Sequence, residues 1–187
     1  MSKIVPAALI VLMMTASASA QDQNQRQPSF AAFLKGAYMS NRNFILRSAA
    51  KVPEEFYGMR PDSQMEVRTF GQILGHLANY NYLWCSQAKG ERNPNEGGDL
   101  EKLTSKAELT KALSSAFSYC DAVYSSLTDA SGAQTLEVTQ EDGSKARVNR
   151  ASLLVLNYGH NNEHYGNIVT YMRIKSIVPA SSEPQQR

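Results

Sequence analysis

Residues 160–164 read His-Asn-Asn-Glu-His. Two imidazoles four positions apart bind one metal ion if the segment is helical. On a helix they are rotated by only about 40° from each other and separated by a rise of about 6 Å, so both rings reach one point. Helical zinc sites use this spacing. The Glu between them adds a second reading. His-x-x-Glu-His is also the arrangement of inverzincin peptidases, in which the Glu is the general base for water on the metal. Those enzymes need a further acidic ligand downstream. Here 23 residues follow His164, and the one acid among them, Glu183, lies beyond Pro179. The pentapeptide therefore supports a histidine pair better than a peptidase. Glu163 is left as a hydrogen-bond acceptor beside the ligands or a partner in a surface ion pair.

The chain has only three histidines, and the third is His76. It sits three residues after Ile73 and four before Tyr80, on the apolar face of another helical stretch. One histidine on such a face is usually a hydrogen-bonded core residue. Three histidines, all facing inward, make a three-nitrogen site that leaves a position for water or substrate. Imidazole donors suit one borderline divalent ion, zinc or nickel. No catalytic residue is assigned beyond the ligands His76, His160 and His164.

Four helical stretches must position these residues. The first runs from an N-cap at Ser29 to about Val52, with Phe30, Phe33, Leu34, Ala37, Tyr38, Phe44, Ile45 and Ala49 as its stripe. Pro53 ends it. The second starts at Thr69, whose partner Gln72 completes a capping box; Ser63 with Glu66 is a competing box. Phe70, Ile73, Leu74, Leu77, Tyr80 and Trp84 share its face, and Gly90 stops it. The third starts at Ser105 with Glu108, carries Leu109, Leu113, Ala116, Phe117, Cys120, Val123, Tyr124 and Leu127, and ends before Ser131-Gly132. The period then changes to two. Leu136 and Val138, then Asp142-Gly143, then Ala146 and Val148 signal a β-hairpin. A lone hairpin is marginal, so it is expected to lie against the helices. The fourth helix runs from an N-cap at Asn149 to about Lys175, with Leu153, Leu156, His160, His164, Ile168 and Tyr171 along one face. The expected fold is all-α, a four-helix bundle with a short hairpin between helices 3 and 4.

The ends read differently. Lys3, the apolar run Ile4–Met14 and the small residues Ala18-Ser19-Ala20 form a secretory signal peptide over residues 1–20, cleaved after Ala20. The run is short for a bilayer span, which needs about 20 residues. Residues 21–28 are a polar, disordered lead-in, residues 29–179 the bundle domain, and residues 180–187 a flexible tail. The expected location is periplasmic or secreted, with no membrane span once the leader is removed. Losing Lys3 with the leader takes the formal net charge from +2 to +1. A chain that near neutrality carries no electrostatic footprint for nucleic acid. In an oxidising compartment Cys85 and Cys120 can pair, or remain two partly buried thiols; their spacing does not decide it.

Two segments, RPDSQMEVRTFGQILGHLANYNYLW and RASLLVLNYGHNNEHYGNIVTYMRIKSIVP, resemble the DinB family, also called DinB/YfiT-like. The resemblance covers about residues 29–181. Its most specific feature is an order of motifs: Arg-Thr-Phe-Gly followed by one histidine, then much later His-x-x-x-His-Tyr-Gly. It implies a four-helix bundle holding one divalent metal ion on His76, His160 and His164. It also implies thiol-dependent transferase or isomerase chemistry, in which the metal makes a low-molecular-weight thiol a thiolate. An exported protein meets few such thiols. A homodimer is implied by resemblance alone.

Other residues near the expected site have two roles each. Asn157, one turn before His160, either touches a ligand or sits at the bundle edge. Tyr80 and Tyr38 either aim hydroxyls at the site or pack in the core. Gly166 allows close helix approach. Arg68 and Arg60 either bind an acidic substrate or fix the connector. Two functions follow. In one, the protein is a metal-dependent transferase or hydrolase whose open metal position activates a thiol or water for an unidentified small-molecule substrate. In the other, it is a non-catalytic metal-binding or stress-associated protein whose ion holds helices 2 and 4 together.

Overall fold

Ser29, Thr69 and Ser105 each turn an extended segment into a helix by the same means: the side-chain oxygen accepts a backbone N–H of the first turn. At Thr69 the exchange is reciprocal, because Gln72 returns a hydrogen bond to the cap's own N–H. The competing pair Ser63 and Glu66 lies in the connector and starts no helix. The computed structural model describes residues 29–184 except Glu141. The leader, its cleavage point and the lead-in expected over residues 1–28 lie outside the described residues.

Helix α1 spans Phe30–Lys51, α2 Phe70–Lys89 and α3 Lys106–Ser126. A single turn, α4, follows at Asp129–Gly132, then strands β1 (Thr135–Thr139) and β2 (Lys145–Asn149), and finally α5 (Arg150–Ile174). The four long helices form the expected bundle. Helix α2 is its centre, packed on α3 and α5, while α1 closes the other side against α3 and α5. The core is filled by Leu34, Tyr38, Ile45, Phe70, Leu74, Leu77, Leu113, Phe117, Tyr124, Leu154 and Ile168. Among the described residues no helix is long and apolar enough to cross a membrane.

Several boundaries and faces differ from expectation. The third helix ends at Ser126, four residues short of Ala130, because Thr128 begins a new capped turn with Ser131. The stripe of α1 is rotated: Phe30 and Phe33 are exposed, and Asn41 and Ser48 take inward positions between Leu34, Tyr38, Ile45 and Ala49. On α5, Leu156 is 55% exposed rather than buried. The hairpin pairs Leu136 with Val148 and Val138 with Ala146, as the alternation requires. Its turn is longer than a two-residue Asp-Gly loop, closed by Gln140 N–H donating to Ser144 O, with Gly143 in the left-handed region at φ 81. The segment after Pro179 is not a loose tail as far as it is described. Ala180–Ser182 form a 3-10 turn, Ala180 is buried, and Glu183 forms ion pairs with Arg47 and Lys51 of α1.

Cys85 of α2 and Cys120 of α3 are paired in a disulfide, both fully buried, with Cα atoms 5.4 Å apart. This settles the alternative the spacing left open. Beside it lies a polar knot. Asn81 Oδ1 accepts from the side-chain amides of Asn157 (3.0 Å) and Asn161 (3.1 Å), and the Tyr124 hydroxyl reaches Asn157 Oδ1 at 2.9 Å. Asn81, Asn157 and Asn161 are at most 1% exposed. Groups that deep must pair with each other, which fixes the register of α2 against α5.

Candidate metal centre

His76 faces α5 from the second turn of α2, and His160 and His164 face it from the middle of α5. Their Nε2 atoms converge: His76 to His160 is 3.0 Å and His160 to His164 is 3.1 Å. The three nitrogens that could ligate an ion lie within 4.8 Å of one another. A tetrahedral ion with bonds of about 2.0–2.1 Å holds its donors roughly 3.3 Å apart, so the His76–His160 and His160–His164 distances match one ion to within a few tenths of an ångström. His76 and His164 are buried and His160 half-buried.

The charge state of the rings also suits a metal. Burial, with the neighbouring His164, His76 and Arg68, pushes His160 down to about 3. Burial is also the first cause lowering His164, followed by His76. His160 and His164 are therefore neutral near neutral pH, the form of imidazole that binds metal. Nδ1 of His76 is 2.6 Å from Glu101 Oε1. The Nδ1–H donates to that carboxylate, which leaves the lone pair on Nε2, the atom facing the cluster. Nδ1 of His164 meets the Asn167 side-chain amide at 3.1 Å. Nδ1 of His160 is buried with no hydrogen-bond partner.

Glu101 is the residue the sequence gives no sign of. It comes from the polar loop between α2 and α3, in a 3-10 turn over Leu100–Lys102. Gly75 admits that turn against α2: a Cβ there would stand 2.3 Å from the Leu100 carbonyl oxygen. Asn79, one turn on, accepts the Leu100 N–H and binds Asp99 and Asn95. Arg68 completes the arrangement with its Nε 2.8 Å from Glu101 Oε2. Arg68 thus neutralises a carboxylate at the site, and Arg60 fixes the connector by donating to the Val67 carbonyl.

The remaining expectations divide. Tyr80 lies at the cluster, its ring 4.6 Å from that of His76 and 4.8 Å from that of His160. Tyr38 does not; its hydroxyl is held by Phe117 O and Asp121 across the α1–α3 face. Asn157 neither touches the cluster nor sits at the edge, because it is tied into the amide knot with Asn81. Glu163 is exposed on α5, and the carboxylate that meets His76 is that of Glu101 instead. Nothing lies within 4 Å of a Cβ at Gly166, so it mediates no close approach.

A cleft of about 710 Å³ opens from His76 and His160 between α2, α5 and the hairpin. Trp84 stands edge-on to His160, with ring centroids 4.9 Å apart. Val138, Ala146 and Val148 supply the opposite wall. The hairpin is held there partly by Gln87 Nε2 donating to the Thr139 carbonyl. Its place over the histidines was not readable from the strand pattern.

The same chain course occurs in known structures. A DinB-like protein from Bacillus subtilis superposes with a TM-score of 0.62 at 19% identity, covering 81% of this chain and 99% of the other. A DinB-like protein from Bacillus cereus gives 0.63 at 15% identity, covering 85% and 98%. A conserved protein from Enterococcus faecalis gives 0.61 at 12%, covering 80% and 99%. At these identities the likeness is one of fold. No curated protein matches the chain. The profile of the DinB superfamily matches residues 39–168, more than half of the chain, and the protein belongs to that superfamily.

Proposed function

We propose that this protein is an exported metalloprotein that holds one divalent ion, zinc or nickel, on His76, His160 and His164, and works as a metal-dependent transferase or hydrolase. The observation that carries the reading is the convergence of three Nε2 atoms beside an open cleft that His76 and His160 line. Three nitrogen donors leave a coordination position free. When bound, the ion supplies charge that favours the ionised form of a thiol or water. The chain's own residues hold His160 and His164 neutral, orient His76 through Glu101 and wall the cleft with apolar side chains that exclude solvent. The alternative, an ion that only ties α2 to α5, has less need of such a cleft. Export is supported by the leader-like residues 1–20 and by the buried Cys85–Cys120 pair, which suits an oxidising compartment.

The test is the metal content of the purified protein beside its His160→Ala variant. One equivalent in the first and a large loss in the second is expected. Equal metal in both overturns the ligand assignment. Cobalt substitution then separates the two functions. A visible spectrum that changes with added thiol supports the open position, and a spectrum indifferent to every small ligand supports the structural ion.

A further inference from the structure

The cleft's chemistry narrows what can enter it. One wall is a strip of α2 in which His76, Tyr80 and Trp84 follow at intervals of one turn, with the Tyr80 and Trp84 rings 5.0 Å apart. The facing wall is the inner side of the hairpin, where Val138, Ala146 and Val148 alternate with residues on the outer side. Leu156 of α5 forms the rim and leaves over half its surface exposed. A volume of about 710 Å³ is in the range of small-molecule sites.

Charge is the second constraint. Among the described residues no Lys or Arg lines this cleft, and the one formally charged lining residue is Asp142, at the hairpin turn. Arg68, which stands beside Glu101, the partner of His76, is engaged by that carboxylate. Lys145 lies on the outer side of the hairpin, donating to Thr139 Oγ1. An anionic tail would therefore leave water for an apolar wall without a cation to meet it, which is costly.

We propose that the cleft takes a neutral small molecule with a flat, apolar or aromatic body, which lies between Trp84 and the hairpin and presents a heteroatom to the histidines, and that it rejects anionic thiols. This rests on the metal-centre reading only for the heteroatom end; selection of the body depends on the walls. The ring faces of Tyr80 and Trp84 offer stacking, and Leu156 gains burial only when the cleft is filled.

Trp84 is the only tryptophan in the chain, so its fluorescence reports occupancy directly. The probes are benzyl mercaptan, which is neutral at pH 7, and its para-carboxylate analogue, titrated into the metal-loaded protein, the metal-free protein and the Leu156→Asp variant. Leu156 is exposed enough for the variant to fold, which circular dichroism checks. The neutral probe should bind at least about tenfold tighter than the carboxylate, and Leu156→Asp should weaken it by a similar factor. Equal or tighter binding of the carboxylate, or an unchanged affinity in Leu156→Asp, overturns the proposal. Dependence on the metal is read separately. If the neutral probe binds with the same affinity with and without metal, the cleft proposal stands and the metal-activation reading falls.

Discussion

Glu101 Oε1 lies 2.6 Å from His76 Nδ1, and Arg68 holds the other oxygen of the same carboxylate. A loop residue thus sets the tautomer of a histidine on a helix 25 positions away in sequence. The carboxylate that serves the candidate metal centre is this one, not the Glu163 that sits between the two histidines of α5.

Replacing Glu101 by Gln keeps the shape and removes the charge. The His76 Nδ1–H then donates to a weaker acceptor, and its Nε2 becomes a poorer donor. Zinc affinity, measured by competition with a chromophoric chelator, should fall about 10- to 100-fold. The thermal midpoint of the metal-free protein should change little, because Glu101 is a partly exposed loop residue. An unaltered affinity would remove Glu101 from the site.

Gly75 is the steric condition for that contact. A Cβ at this position would lie 2.3 Å from the Leu100 oxygen and 2.6 Å from its carbonyl carbon. Both are backbone atoms, so the turn bearing Glu101 has to move away. Gly75→Ala should cost about 1–3 kcal/mol in urea unfolding and lower metal affinity in the same direction as Glu101→Gln. Gly166→Ala is the control. It meets nothing within 4 Å and sits in a helix, so it should be neutral or stabilising by up to about 1 kcal/mol. Similar losses at the two glycines would mean that the close approach at Gly75 does not matter.

Much of this architecture was legible in the sequence, for reasons that also show where reading stops. Helix starts were local events: Ser29, Thr69 and Ser105 cap within three residues of themselves, so their spacing suffices. The convergence of His160 and His164 was legible because helical periodicity puts both on one side, and that of His76 because it shares a face with Ile73 and Tyr80. Asn157 was misplaced by the same logic. One turn from His160, it looked like a neighbour of the metal, yet a partly rotated position lets it meet Asn81 and Tyr124 instead. Leu156 looked like core by hydropathy and proves to be cleft rim. Glu101 was invisible because its position depends on how a polar loop folds back, which Gly75 and Asn79 decide and no periodicity records.

The Cys85–Cys120 bridge closes a loop of 35 positions between α2 and α3. Constraining the unfolded chain over that span contributes about 4 kcal/mol. A phosphine reductant, or the double substitution Cys85→Ser with Cys120→Ser, should lower the urea midpoint by a matching amount. Metal stoichiometry should persist in the folded fraction, because neither sulfur reaches the histidines. A midpoint indifferent to reductant, with two thiols titratable in the unfolded chain beforehand, would show that the purified protein carries no bridge.

The histidines also give the metal-free protein a definite dependence on pH. In an unfolded chain a histidine titrates near about 6.5. In the fold His160 is pushed down to about 3, and His164 is lowered as well, in both cases first by burial. Below about pH 6.5 the unfolded state therefore takes up protons that the folded state refuses. The stability tied to these groups is fully present above the unfolded value and drains as pH falls toward the folded one, with a slope of at most about 1.4 kcal/mol per pH unit for each histidine. Urea unfolding of chelator-treated protein at pH 7.5 and pH 5.0 measures the loss. His160→Phe keeps a ring in the bundle and removes one titrating group, so its loss over that interval should be smaller than that of the parent protein. An equal loss in both would mean that His160 is protonated in the folded, metal-free state, contrary to the burial that lowers it.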